Sequence, residues 1–320
     1  MTVPRFGCCG CGRRALIAAG AAGLFATGAA EAAPVFTLHE VAPGIFVRHG
    51  LYQDANKRNL DFIANTGFIV GERAVAVIDP GGSLPDGERL YASLRARTRL
   101  PVRHLILSHL HPDHYFGAQP FLAEKPEVIA HWRMPDAIAE QEAYYHTRLA
   151  EVVGTAAAGG LVQPTRLVKA VASVDLGGRV LDLTAHPRAH TFTDLTVFDR
   201  ATATLWMADL LFVKRIPAID GSLTGWQKTL AALAKVKAAR AVPGHGPVAV
   251  AWPAGAVDEA RYFRVLRSGI LKVLHDGGDI EQAVASVGRS ERGRWLLFDA
   301  YNGRNVTASF KELEWAATPG

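Results

Sequence analysis

The chain has 320 residues, of which 49% are hydrophobic and 20% charged, and a formal net charge of +5. That composition supports a sizeable core and excludes an intrinsically disordered chain. The positive charge is modest and spread along the sequence, so it does not point to nucleic acid as a partner.

Residues 1–32 read as an export signal, to be set aside before the fold is considered. Arg5, Arg13 and Arg14 form a basic n-region, and Ala15 to Ala26 is an Ala/Gly-rich apolar run too short to span a bilayer comfortably. Ala30-Glu31-Ala32 is a small-x-small cleavage site. Arg13-Arg14 ahead of the apolar run resembles a twin-arginine signal. A general secretory signal and an uncleaved anchor are the competing readings. Export implies a periplasmic protein with no stable membrane insertion after cleavage. Three arginines and Glu31 leave with the segment, so the net charge falls from +5 to +3. Cys8, Cys9 and Cys11 leave too, so the mature chain has no disulfide framework and no cysteine for catalysis or metal binding.

In chain order, NTGFIVGERAVAVID at 65–79 predicts two strands around a turn at Gly71-Glu72-Arg73. The run AVAVID is nearly all apolar, as a strand buried on both faces requires. Pro80-Gly81-Gly82 ends it, and 84–99 has helical spacing. A short apolar strand follows at 104–107, then helices over 116–124 and 135–150, and a loop over 154–160. Alternating segments at 180–184, 195–199 and 203–207 predict strands. An amphipathic helix covers 224–239, and Ala241-Val242 leads into PGHGP. Helices over 257–275 and 279–287 form the body of a C-terminal helical extension spanning 251–320. The order strand-rich, helix, strand-rich, helix predicts two sheets with helices outside them.

The densest chemistry lies in HLILSHLHPDHYFGAQPF at 104–121. Histidines two apart on an extended segment point the same way, so His109 and His111 can grip one cation together. Pro112 then helps turn the chain, and Asp113 and His114 can face a second point a few ångströms away. Imidazole and carboxylate together suit zinc, and also iron or manganese. A surface histidine-rich loop is the bland alternative, but HxHxDH directly after an apolar strand is far more specific than one histidine pair.

SHLHPDHYFG resembles the metal-binding signature of the metallo-β-lactamase superfamily, and the resemblance runs from about Val41 to Pro247. It implies a four-layer αββα fold of the α/β class, over residues 33–250 with the helical extension belonging to the same domain. VIDPGG at 77–82 resembles an early strand-turn in which Asp79 is structural. His190 in AHTFTDLTVFD resembles the histidine completing the first metal's set, with His186 as a competitor four residues away. Asp209 in WMADLLF resembles the carboxylate that bridges two metals in the glyoxalase II type, and His245 in PGHGP resembles the last ligand of the second. The resemblance thus implies His109, His111 and His190 for one Zn2+, Asp113, His114 and His245 for another, and Asp209 between them. Asp194 departs from the more common residue at its place. GLYQDANKRNLDFIANTGFIVG at 50–71, HPDHYFGAQPF and RNVTASFKELEW at 304–315 resemble a narrower group, the quinoprotein relay system metallohydrolases, and imply an exported enzyme associated with a periplasmic quinoprotein system.

Two divalent cations sharing a water lower its pKa toward neutrality and yield a nucleophile. Asp113 and Asp209 are then the catalytic carboxylates, Asp113 orienting the nucleophile. Hydrolysis of a small-molecule ester, thioester or lactone is the expected reaction, since these leaving groups need least help from an acid. β-Lactamase activity, iron-dependent oxidoreductase chemistry on the same fold and a non-catalytic quinoprotein partner are the alternatives. Lys57, Arg58, Tyr52, Tyr115 and Trp206 are weaker candidates for lining the cleft.

Overall fold

The computed structural model describes residues 36–160 and 162–317. The export signal expected over 1–32, with its three cysteines, lies outside the described residues.

The first sheet has seven strands in simple chain order. They are β1 (Leu38–Ala42), β2 (Ile45–Arg48), β3 (Thr66–Val70), β4 (Val75–Ile78), β5 (Val102–Ile106), β6 (Glu127–His131) and β7 (Arg166–Val168). β1 to β4 are antiparallel, and β4 to β7 are parallel. The crossovers carry α1 (Leu84–Arg95), a single turn α2 (Pro112–Tyr115) and α3 (Met134–Val153). The second sheet is a meander, β8 (Val171–Asp175), β9 (Val180–Ala185), β10 (Leu195–Asp199) and β11 (Thr204–Phe212), extended by β12 (Arg240–His245) and β13 (Val250–Ala251). β12 pairs parallel to β11 across α4 (Leu223–Leu233). The chain then runs through α5 (Val257–His275), α6 (Ile280–Ser286) and α7 (Phe298–Ala317).

Strand periodicity builds the layers. On β4, Val75 and Val77 face α1 and α3, while Ala76 and Ile78 face the other sheet. On β11, Leu205 and Met207 face the outer helices, whereas Trp206 and Ala208 join the inter-sheet core. Each strand therefore needs apolar residues at successive positions, which is why AVAVID reads as it does. Three apolar layers result: α1 and α3 on the first sheet, the two sheets face to face, and α4, α5 and α7 on the second sheet. The layered αββα fold expected from the sequence is the one observed, with α5–α7 as the extension.

The helix starts follow local chemistry. Ser83 caps α1 by accepting from Asp86 N, with a proline in the first turn, and Ser222 caps α4 by accepting from Gly225 N. The segment 116–124 is not one α-helix: α2 stops at Tyr115, and 119–124 is a separate 3₁₀ segment. β1, β2, β6, β7, β8, β13 and α7 were not anticipated as elements. β1 is an edge strand with two exposed residues, and β2 and β6 are short.

Candidate metal centre

Loops at one end of the two sheets carry the chemistry. β5 ends at Ile106, and Ser108 to His111 then run to α2. His111 is the extended N-cap residue of α2, with Pro112 at its first position, so the helical turn presents Asp113 and His114 to a different point from His109 and His111. His190 lies in the β9–β10 loop, Asp209 on β11 and His245 at the end of β12.

These seven side chains form two groups: His109, His111, His190 and Asp209, and beside them Asp113, His114 and His245. Within each group the donor atoms lie within 4.8 Å of one another. His190 Nε2 is 2.9 Å from His111 Nδ1. Asp209 Oδ2 is 3.3 Å from His190 Nε2, 3.8 Å from His109 Nε2 and 3.4 Å from His245 Nε2, while Oδ1 is 3.0 Å from His114 Nε2. The Asp209 carboxylate thus reaches both groups. Asp113 Oδ2 is 3.1 Å from His245 Nε2.

Whether these residues fit a pair of cations can be tested on the ring nitrogens. In every imidazole one nitrogen is tied back to the protein and the other faces the centre. His109 Nδ1 meets Ser108 Oγ at 2.9 Å, and that hydroxyl donates to Asp79 Oδ2 at 2.7 Å. His114 Nδ1 donates to Asp79 at 2.8 Å, His190 Nδ1 to the Ala218 carbonyl at 2.8 Å and His245 Nδ1 to the Ile63 carbonyl at 3.0 Å. His111 alone is reversed: its Nε2 donates to Asp220 Oδ2 at 3.1 Å, leaving Nδ1 inward. Such anchoring orients metal-ligating histidines and selects their tautomers. Moreover, His109 Nε2, His114 Nε2 and Asp209 Oδ1 are buried with no hydrogen-bond partner. Each such atom costs about 1–3 kcal/mol if left unmatched. Two of them belong to the first group and one to the second, and either cluster could hold a divalent ion.

Electrostatics agree. Burial holds His109 well below the usual imidazole range, and brings His190 down to about 3, so both are neutral donors. Burial alone would raise Asp209, but His245 and His114 outweigh it and keep the carboxylate ionised. Burial likewise opposes Asp113, and His114 with His245 holds it below the ordinary range.

The structure separates His190 from His186. His186 Nε2 bonds Thr196 Oγ1 at 2.8 Å, and it belongs to neither cluster. Accordingly, His190→Ala is expected to lose metal while His186→Ala retains it, as elemental analysis of the two purified variants would decide. Asp194 accepts from Thr191 N at 3.0 Å and Oγ1 at 2.6 Å, closing the turn that follows His190.

Several contributors were not anticipated. β11 carries an irregularity after Trp206, where Ala208 takes φ 45°. Bulges of this kind re-aim side chains next to active sites, and Asp209 is the residue re-aimed. Asn65 fastens the PGHGP segment, donating to Pro243 O at 2.9 Å while its own N–H bonds Gly244 O at 2.7 Å. A Cβ at Gly244 would overlap Asp209 Oδ1 and stand 2.7 Å from Asp209 N. Gly244→Ala is therefore expected to cost about 1–3 kcal/mol by overpacking and to lower metal content, measurable by denaturant unfolding and metal analysis together. Asn305 on α7 donates to Pro217 O at 2.7 Å and accepts from Ile219 N at 3.0 Å. It grips the loop whose Ala218 carbonyl holds His190, so the C-terminal extension supports the centre.

The centre opens into a cleft of about 610 Å³. Tyr144, Tyr145 and Arg148 of α3 form one wall, and Tyr301, Arg304 and Asn305 of α7 another. Tyr52, Lys57, Arg58, Tyr115 and Trp206 are not among the lining residues. Trp206 is in the inter-sheet core, and the Tyr115 hydroxyl donates to the Val162 carbonyl.

An αββα sandwich with two His/Asp clusters at one end of its sheets defines a binuclear metallohydrolase architecture. Residues 60–245 match the Metallo-beta-lactamase superfamily, and the chain belongs to that superfamily. Among solved structures, a metallo-β-lactamase from Pontibacter korlensis is similar, with TM-score 0.58 and 15% identity over 72% of this chain and 99% of that one. A stereoselective inverting sec-alkylsulfatase from Pseudomonas sp. has TM-score 0.62 and 18% identity over 79% of this chain but 45% of its own. At such identities the likeness is one of fold. No curated protein sequence matches the chain.

Proposed function

We propose that the chain is an exported dizinc hydrolase that cleaves an ester, thioester or lactone, in the glyoxalase II manner, in the service of a periplasmic quinoprotein system. The observation that carries the hydrolase reading is the convergence of five anchored imidazoles on a carboxylate that touches both groups. His109, His111 and His190 would hold one cation, Asp113, His114 and His245 the other, with Asp209 between them. When bound, the two cations supply an acidified water and a Lewis acid for the carbonyl. The chain's own groups do the positioning. Asp209 and Asp113 balance charge and orient the attacking oxygen, and Asp79, Ser108 and Asp220 lock the imidazoles. The described helices include none long and apolar enough to cross a membrane. The quinoprotein link and export rest on the sequence strings at 50–71 and 304–315 and on the features of 1–32.

Metal analysis of protein purified from the periplasm without chelators tests the reading. About two zinc per chain and turnover of esters, thioesters or lactones support it. Iron in place of zinc, or full zinc loading without turnover on any of these, overturns it. Nitrocefin hydrolysis at comparable efficiency would reassign the substrate to β-lactams. Mass spectrometry of the mature N-terminus tests cleavage after residue 32.

A further inference from the structure

On the outer side of the second sheet, α4 and α5 leave a groove of about 400 Å³ between them. α4 presents Leu230, Ala231 and Ala234 to it, and α5 with its preceding turn presents Ala256, Ala260 and Phe263. Spacings of three and four residues put each set on one face of its helix. The two helices run in opposite directions along the groove. Trp252 Nε1 donates to the Leu233 carbonyl at 3.1 Å at the end of α4, and the Phe263 ring lies 4.8 Å from that of Trp226 near its start. One end of the groove is therefore the apolar corner at Pro253 and Ala256, and Gln227 and Arg264 share the other.

Gln227 and Arg264 are the polar residues of the lining, and neither side chain has a partner among the described residues. No carboxylate is among the described residues that line the groove, and Asp258 at the start of α5 is already paired with Arg261. Arg267 is exposed one turn beyond Arg264 and adds positive charge at the same end. Val257, at the apolar end, is left 62% exposed. An apolar wall with a few polar groups gathered at one point is the pattern of a small-molecule site. Covering the apolar stretch is favourable in proportion to the area taken from water. The matching occupant has an apolar body and one anionic end that accepts from a guanidinium and an amide. From Gln227 to Ala234 the groove follows about 10 Å of helix, which suits an unbranched alkyl chain of medium length.

We propose that the groove between α4 and α5 is a second binding site, separate from the metal centre, and that it takes a medium-chain fatty carboxylate. The alkyl chain lies along Leu230, Ala231, Ala260 and Phe263, and the carboxylate accepts charge-assisted hydrogen bonds from Arg264 and Gln227. The inference is independent of the hydrolase reading, because none of these residues belongs to the metal clusters or lines the cleft above them.

Calorimetric titration of zinc-loaded protein with decanoate and with hexanoate, both kept below micelle-forming concentrations, is the test. Decanoate is expected to bind at least about 10-fold more tightly, because its longer chain buries more methylenes. Arg264→Gln removes the cation, and Ala231→Phe fills the groove from an exposed position. Each is expected to weaken decanoate at least about fivefold with zinc content and thermal midpoint unchanged. Equal affinities for the two carboxylates overturn the proposal. So does a decanoate affinity that either variant leaves intact, since the ligand would then sit at the metal centre or elsewhere. Light scattering on the same samples gives the oligomeric state. A dimer that Ala231→Phe dissociates would assign the groove to a second copy of the chain and overturn the proposal as well.

Discussion

Asp209→Ala is expected to lower kcat by about 10²–10³-fold or more and to reduce bound metal from two ions toward one. Asp209 is 3% exposed, and its two oxygens lie 3.0–3.8 Å from four imidazoles drawn from both groups. Without it, Asp113 is the one carboxylate left among the seven clustered side chains. Two divalent cations would then face each other with half the compensating charge. Asp209→Asn preserves the shape and removes the charge, so it separates electrostatics from packing and should fall close to the alanine variant. The measurements are steady-state turnover and metal stoichiometry on the same samples. Two-metal loading with wild-type rates in Asp209→Ala would falsify the bridging role.

Metal removal is expected to produce the other large effect, on stability. The centre gathers buried donors that no protein group satisfies, notably His109 Nε2, His114 Nε2 and Asp209 Oδ1. A cation that binds the folded state stabilises it by about 4 kcal/mol at 1,000 times its dissociation constant. For a domain of this size that corresponds to roughly 10 °C in the thermal midpoint. Chelated protein should therefore unfold well below zinc-reloaded protein, and calcium, which prefers oxygen donors, should not restore the midpoint. An unchanged midpoint after verified chelation would remove the metal from the fold's stabilisation. The pH dependence has a definite sign. Burial alone would lower His111 and His114, but Asp220 raises the first, and Asp209, Asp113 and Asp79 raise the second. Protons compete with metal at these two rings, so zinc affinity should rise with pH as they are released.

The tight cluster HxHxDH was legible because four of its donors sit within six residues, and strand or turn geometry alone dictates that they converge in pairs. The layered fold was legible for a similar reason, since β4, β9, β10 and β11 carry their periodicity in their own residues. The edge strand β1 was not, because half-exposed residues leave no apolar pattern to read. The cleft walls were misjudged at Tyr115 and Trp206. An aromatic residue near a motif in sequence can equally face the core, and at these positions it does.

Local sequence by itself thus determined the class of chemistry: imidazole and carboxylate donors at strand ends, with no cysteine anywhere after Cys11. Tertiary structure decided which tautomer His111, His114, His190 and His245 present, because their anchors are remote, whereas His109 leans on the adjacent Ser108. Asp220 lies 109 residues from His111, and Ile63 lies 182 from His245. It also decided that Asp209 faces both groups, through a backbone irregularity invisible to a pattern of side chains. Finally, it brought Arg215, Tyr301 and Arg304 to one wall, which no local rule can foresee. Short-range geometry follows from bond rotations within a few residues, whereas the partner of a buried charge is set only when distant segments exclude water together.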